Sequence, residues 1–227
     1  QATAEQALAV APTAHEAALT AANAATTAAV AALRNAATLA GVENIADDAS
    51  AEDIQAALTA QIEVLNEDFR KLNADASNAP EEFAPLASDI GIEFYLATED
   101  PEGNPTNGIT RTATDKKKFS TNDNIKRSEE GGKDPWPTDK YLNLWSGNIS
   151  FILGELLGYA QFPGGDPATD GVVINSKYFG RGGSALAPFN GGRTATHEVG
   201  HWLNLRHIWG DGGCGATDFV DDTPDAA

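Results

Sequence analysis

The sequence predicts an α/β domain in which one helix backs a β-sheet and a second helix carries a metal site. Three observations lead there. Ile54, Leu58, Ile62, Leu65, Phe69 and Leu72 recur at helical spacing and give one apolar face. Several short runs further along alternate apolar and polar residues, or are continuously apolar between turn signals, as strands are. Finally, His197-Glu198-Val199-Gly200-His201 sets two imidazoles four residues apart, which on a helix places them one turn apart on the same face.

Length and charge bound what surrounds these features. At 227 residues the chain is long enough for one domain with a substantial core and a small appendage. A formal charge of -18 argues against nucleic acid or an anionic membrane as partner. No apolar run approaches the length that spans a bilayer, so no membrane insertion is expected. Gln1-Ala2-Thr3-Ala4-Glu5 lacks the basic start and apolar core of a signal peptide, so an export signal is expected to have been removed or never present. The single cysteine, Cys214, precludes a disulfide within the chain and leaves the redox compartment open. Nothing in the pattern fixes an oligomeric state.

Residues 1–49 form a first segment, rich in alanine and poor in large apolar side chains. Alanine is the best helix former, so helix is expected, broken near Pro12 and ended near Gly41. Leu19, Val30, Leu33 and Leu39 make a stripe too thin for a coiled coil. The segment reads as a low-complexity spacer or the remnant of a prosegment. It holds no cysteine with which to block a metal, and His15-Glu16 has no companion ligands nearby.

Residues 50–227 form the second unit. Ser50 with Asp53 three residues on is a helix start, and the apolar face predicts a helix over 51–73. Ile92 to Ala97 alternates and reads as a strand, ended by Asp100-Pro101-Glu102-Gly103-Asn104-Pro105. Ile109 to Thr112, Tyr141 to Trp145, Leu156 to Phe162 and Gly171 to Asn175 are further strands, the last continuously apolar and so buried. Lys116-Lys117-Lys118 reads as a solvated face. Gly180 to Gly192 lacks the Lys-Ser/Thr of a phosphate-binding loop and reads as a connector into the second helix, expected over about 194–204.

On that helix His197 and His201 can share one metal ion. A third ligand must come from outside it, and His207 supplies one if the chain reverses just after Leu203. Asn204 suits that reversal, because asparagine tolerates positive φ better than any residue but glycine. Three imidazoles leave a fourth tetrahedral position to water, the open arrangement of a catalytic zinc. Zinc brings that water's pKa to about 7, and Glu198 stands where it can take the proton and pass it to a leaving amine. Three of the four histidines lie in this one stretch. A buried structural histidine would account for one of them and not for three with a glutamate between.

At these residues the sequence resembles the metzincin metallopeptidases, whose motif is H-E-x-x-H-x-x-G-x-x-H, and within them the pappalysin/cytophagalysin family, M43. Asn204 replaces the family glycine. The likeness extends to Leu65 through Asn73, Gly158-Tyr159-Ala160-Gln161-Phe162-Pro163, Asp170 through Ile174 and Asp222-Thr223-Pro224, and so covers roughly residues 50 to 225. The resemblance implies a metzincin-like fold, a twisted mixed sheet with a backing helix and an active-site helix. It implies zinc-dependent cleavage of peptide bonds in proteins or peptides, and secretion. It also places the segment of Tyr159, Ala160, Gln161 and Phe162 at the sheet edge, where an extended substrate is held by strand addition.

After His207 the chain carries Asp211, Asp218, Asp221, Asp222, Thr223 and Asp225. Oxygen ligands at such density suit calcium, and an acidic solvated loop has the same composition. The resemblance points to calcium at Asp218, Asp221, Thr223 and Asp225. Two family features are missing from the sequence. It contains no methionine for the turn beneath the zinc, and the apolar first strand of the family sheet is replaced by the alanine-rich segment. The expectation is therefore a C-terminal subdomain that is incomplete, with weak or no turnover. The competing reading is a truncated, catalytically weak or inactive zinc-binding domain that binds peptides, and Glu198 is the residue that separates the two, since a structural zinc has no use for a base.

Overall fold

The structure, a computed structural model, describes residues 37–42, 51–151, 154–181, 185–213 and 215–224. Strand β1 (Ala37–Val42) is followed by helix α1 (Ala51–Phe69), strands β2 (Ile109–Thr112), β3 (Leu142–Gly147), β4 (Ser150–Phe151), β5 (Gly154–Glu155), β6 (Gly158–Ala160) and β7 (Val172–Asn175), and helix α2 (Arg193–Trp202). Five of the strands make one sheet in the order β2-β1-β3-β7-β6, and β4 and β5 pair by themselves. Within the sheet β1, β2, β3 and β7 run parallel to one another, and β6 closes one edge antiparallel to β7. The mixed sheet with an antiparallel edge is the arrangement the resemblance implied.

Strand β1 is a correction. Residues 37–42 lie where helix was expected, yet they pair in parallel with β2 on one side, Leu39 opposite Ile109, and with β3 on the other, Leu39 opposite Leu144. The strand that the sequence reading found missing is thus supplied from the alanine-rich segment itself. The gap between β2 and β3 exposes two rows of backbone donors and acceptors, and a segment that fills it satisfies both, which outweighs the few tenths of a kcal/mol per residue of alanine's helix preference. The remainder of the expected helix, with Pro12 and the His15-Glu16 pair, lies outside the described residues, as does Ser50 of the expected cap.

Helix α1 ends at Phe69, four residues short of the expected Asn73, because Lys71 adopts φ 52° and reverses the chain. The Leu72 N–H donates back to the Glu67 carbonyl at 2.7 Å, closing the helix in the manner of a Schellman turn. Leu72 consequently leaves the apolar face and is 71% exposed. Leu58, Leu65 and Phe69 stay on it and pack with Leu144, Val172, Ile174, Ala195 and Val199 in the main core between the helices and the sheet. Trp145 and Val173 point the other way and join Phe119, Ile125 and Ile149 in a second cluster. Strands β3 and β7 are therefore buried on both faces, as central strands of a covered sheet are.

Ile92 to Ala97 is a second correction. The alternation is present from Ile92 to Tyr95, with Ile92 and Phe94 buried and Glu93 and Tyr95 exposed, but the segment is not a strand of the sheet. Asn66 of α1 takes the place of a ladder partner. Its side-chain amide donates to the Phe94 carbonyl at 2.9 Å, and its carbonyl oxygen accepts from the Phe94 N–H at 2.7 Å. No helix of the described residues is long and apolar enough to cross a membrane.

Candidate active site

Helix α2 is fixed at its first turn by α1. Gln61, fully buried, donates to the Gly192 carbonyl at 3.0 Å and accepts from the Gly180 N–H at 2.9 Å, so the chain entering α2 is held at two points. Asp68 accepts from Arg193 at 3.1 Å and from the Thr196 hydroxyl at 2.7 Å. Ala195 and Val199 face the core, which turns His197 and His201 outward. At the other end the Trp202 indole N–H donates to Asp170 at 2.8 Å. Burial raises the Asp170 pKa, while that hydrogen bond and the Lys126 charge oppose the rise.

Asn204 does what its residue type predicted. Its φ is 77°, and the Leu205 N–H returns to the Gly200 carbonyl at 2.9 Å. The reversal brings His207 back over the helix. The Nε2 atoms of His197, His201 and His207 lie 3.0, 3.1 and 3.2 Å from one another. A tetrahedral zinc about 2.0–2.1 Å from each nitrogen spaces its ligand atoms about 3.3 Å apart, so the triangle is of the right size for one such ion.

The donor chemistry fits as well as the spacing. His201 Nδ1 lies 2.7 Å from the Leu205 carbonyl oxygen, which only accepts, so the ring proton sits on Nδ1 and Nε2 presents a bare lone pair. His207 Nδ1 faces the Asp211 carboxylate at 2.5 Å, with the same result. Two lone pairs 3.2 Å apart repel unless a cation lies between them. Outer-shell acceptors that fix the tautomer in this way are the usual companions of metal-bound imidazoles. The Trp209 ring stacks on His207 at 4.3 Å and 7°, holding its plane. Burial lowers the His197 pKa, which favours the neutral ring. Among the described residues these three imidazoles are the group of side chains that converges as a metal site.

Glu198 faces inward beside them, 7% exposed, and burial pushes its pKa up to about 7. A carboxyl that titrates near neutrality can both take and give a proton there. It lies against edge strand β6: a Cβ built on Gly158 would come 2.9 Å from Glu198 Cγ.

Strand β6 presents its backbone to the outside. Leu157 O and Gln161 N are bonded toward β7, so by alternation the N–H and C=O groups of Gly158 and Ala160 face away from it. The Tyr159 ring turns to the second core cluster, 5.0 Å from Lys126 Nζ, and the Gln161 side chain is engaged with Asp166 and Thr169. Phe162, just beyond the strand, sits 5.3 Å from the His201 ring. Of the residues expected to bind calcium, Asp218 is buried and accepts from the Val220 N–H, Asp221 is exposed, Thr223 is half-buried and Asp225 lies outside the described residues. Sequence reasoning counts Asp211 among the acidic loop residues and misses its contact with His207; the spacing of four was the available signal. Gly158 and Asp170 carry no such signal, because their partners are distant in sequence.

A family model described as pregnancy-associated plasma protein-A, of the M43 peptidases, matches residues 122–227. Mature mirolysin of Tannerella forsythia, solved in complex with a cleaved peptide, is 53% identical with a TM-score of 0.76, covering 84% of this chain and 70% of that one. An extracellular metalloprotease of Pyricularia oryzae is 45% identical over 92 residues, 38% of this chain and 31% of that one. Another from Arthroderma benhamiae is 31% identical over 144 residues, 60% of this chain and 46% of that one. The chain thus spans from about a third to about half the length of these curated relatives. Matched by that family model over residues 122–227 and by mirolysin at 53% identity over 84% of its length, this chain belongs to the M43, or pappalysin, family of metzincin metallopeptidases.

Proposed function

We propose that the chain is the core of a secreted zinc metalloendopeptidase that cleaves proteins or peptides. The observation that carries the reading is the triangle of Nε2 atoms, with two of its rings held in the metal-binding tautomer, next to a buried glutamate. In this reading His197, His201 and His207 hold zinc. Bound zinc supplies a Lewis-acid centre and a water whose pKa is about 7. Glu198 accepts one proton from the attacking water and returns it to the amine nitrogen as the C–N bond breaks. The outward backbone of Gly158 and Ala160 holds the substrate as an added strand, and Phe162 lines its path; Tyr159 and Gln161 contribute by keeping the edge strand in place. The names of the relatives support an extracellular setting. Calcium at Asp218, Asp221, Thr223 and Asp225 extends the reading, supported by the density of oxygen ligands in that loop.

Residues from Ala37 onward belong to the catalytic core in this account, because β1 is flanked on both sides by strands of the same sheet. The test is metal analysis of the purified chain together with casein digestion with and without chelator. Near-stoichiometric zinc and cleavage abolished both by chelator and by Glu198→Gln, with zinc retained in the variant, are expected. Absence of zinc would refute the site. Zinc without cleavage in the unaltered chain would favour a peptide-binding zinc domain.

A further inference from the structure

We propose that Gly158 is a positioning residue for the general base: the edge strand omits a side chain there so that the Glu198 carboxylate can lie against the strand that holds the substrate. The inference rests on the assignment of Glu198 above. A Cβ at Gly158 would stand 2.9 Å from Glu198 Cγ, 3.1 Å from Glu198 Oε1 and 2.9 Å from the Val173 carbonyl oxygen. Real Cβ atoms essentially never approach other heavy atoms below 3.0 Å. The Val173 carbonyl belongs to β7, the partner of β6 in the ladder, and cannot retreat without breaking the sheet. Glu198 is a side chain with rotatable bonds, so it is the part that gives, and it gives by leaving its seat.

Conformation does not explain the glycine. Gly158 is not among the positive-φ positions, so any residue could adopt its backbone angles. Nor does the strand face as a whole require glycine for its pairing, since Ala160 two residues on carries a methyl packed against the main core. The requirement is local, for space opposite the Glu198 side chain and the Val173 carbonyl, and of these the Glu198 side chain makes two of the three close approaches. It links two parts of the reaction centre through one bare Cα, the strand whose outward N–H and C=O would hold a peptide and the carboxylate that would move the proton.

The experiment is a melting-temperature cycle over Gly158→Ala, Glu198→Ala and the double variant, with kcat, KM and zinc content measured for Gly158→Ala. Gly191→Ala, where a Cβ meets nothing within 4 Å, is the control. The expected result is a Tm drop for Gly158→Ala at least about twofold larger in the unaltered chain than in the Glu198→Ala variant, because truncating Glu198 removes two of the three collisions while leaving the Val173 carbonyl. With it, kcat falls about 100-fold, the scale of a displaced catalytic group, while KM and zinc content stay within about twofold. If Gly158→Ala fails to fold and the double variant folds, the proposal is equally supported. Equal Tm drops in both backgrounds, or failure of both to fold, would overturn it, since the methyl is then rejected by the backbone. Loss of KM and kcat together with zinc would also overturn it. Inactivity of the unaltered chain would count against the assignment of Glu198 and not against the contact, which the melting cycle decides by itself.

Discussion

Replacing Glu198 by glutamine should stabilise the metal-free protein at alkaline pH and leave it unchanged in acid. The folded-state pKa of Glu198 is about 7 against an ordinary value of 4.5, and its cause is burial alone. Between those values the folded chain keeps a proton that the unfolded chain has released. The folded state is therefore fully stable, with respect to this group, below about pH 4.5, and loses stability as the pH rises through 7. A displacement from 4.5 to about 7 corresponds to about 3 kcal/mol once the pH exceeds 8. Glutamine has nearly the shape of the protonated acid and carries no charge, so it escapes that cost. For a chain of this size about 3 kcal/mol is a melting shift of about 6–12 °C.

The assay is thermal or urea unfolding of both proteins from about pH 4.5 to about pH 8.5 in the presence of chelator, a window that brackets the ordinary and the folded-state pKa. The difference between the two curves isolates Glu198, because every other titrating group, including Asp170 whose pKa burial also raises, is common to both proteins. A gap near zero at the acid end that opens steadily through pH 7 is expected. Adding zinc should narrow it, since a carboxylate beside a dication regains what desolvation took. Parallel curves, or a gap that opens as the pH falls, would show that the carboxyl is solvated in the folded protein and that its seat between α2 and β6 has been misread.

Further predictions bear on the supports of the site. Asp211→Ala should weaken zinc binding about 10- to 100-fold in competition with a chromophoric chelator, because His207 loses the acceptor that fixes its tautomer; an unchanged affinity refutes the role. Trp202→Phe removes the only N–H that the indole offers Asp170 and should cost about 1–2 kcal/mol at pH 7, shrinking on acidification as Asp170 protonates; a loss that does not depend on pH would point to packing instead. Asn204→Val should cost about 1–2 kcal/mol, since a β-branched residue is forced to φ 77°, whereas Asn204→Gly should leave melting nearly unchanged; equal melting of both variants would refute the turn argument.

The features legible in the sequence are those whose cause is local. The pairing of His197 with His201 follows from the helical period, and the return of His207 from one asparagine that accepts positive φ. Strands β2, β3, β6 and β7 fall within the segments whose apolar patterning announced them, give or take two residues at the ends. What escaped has its cause elsewhere in the chain. Ala37–Val42 is composed like a helix and is a strand because β2 and β3 leave a gap of its width. Ile92–Ala97 alternates like a strand and is denied a place in the sheet because Asn66 already satisfies Phe94. Lys71 ends α1 by adopting a positive φ that its residue type gives no reason to expect.

The same distinction separates the ligands of the site from what aims them. Three imidazole nitrogens held 3.0–3.2 Å apart, two of them with lone pairs inward, oppose one another, and nothing in the motif itself keeps them there. The restraint comes from outside the motif. Gln61 and Asp68 of α1 fix where α2 begins, Asp170 fixes where it ends, and Asp211 and Trp209 fix the plane of the third ring. A cluster assembled against its own repulsion by the rest of the fold is relieved when a cation enters it, so the binding free energy of the metal should appear directly as folding stability. By that linkage, metal at about one hundred times its dissociation constant adds about 2.7 kcal/mol. Variants at Gln61 or Asp68 should lose part of that increment through weaker metal affinity even though neither side chain touches the ion, and a full increment in both would mean that the imidazoles find one another without help from α1.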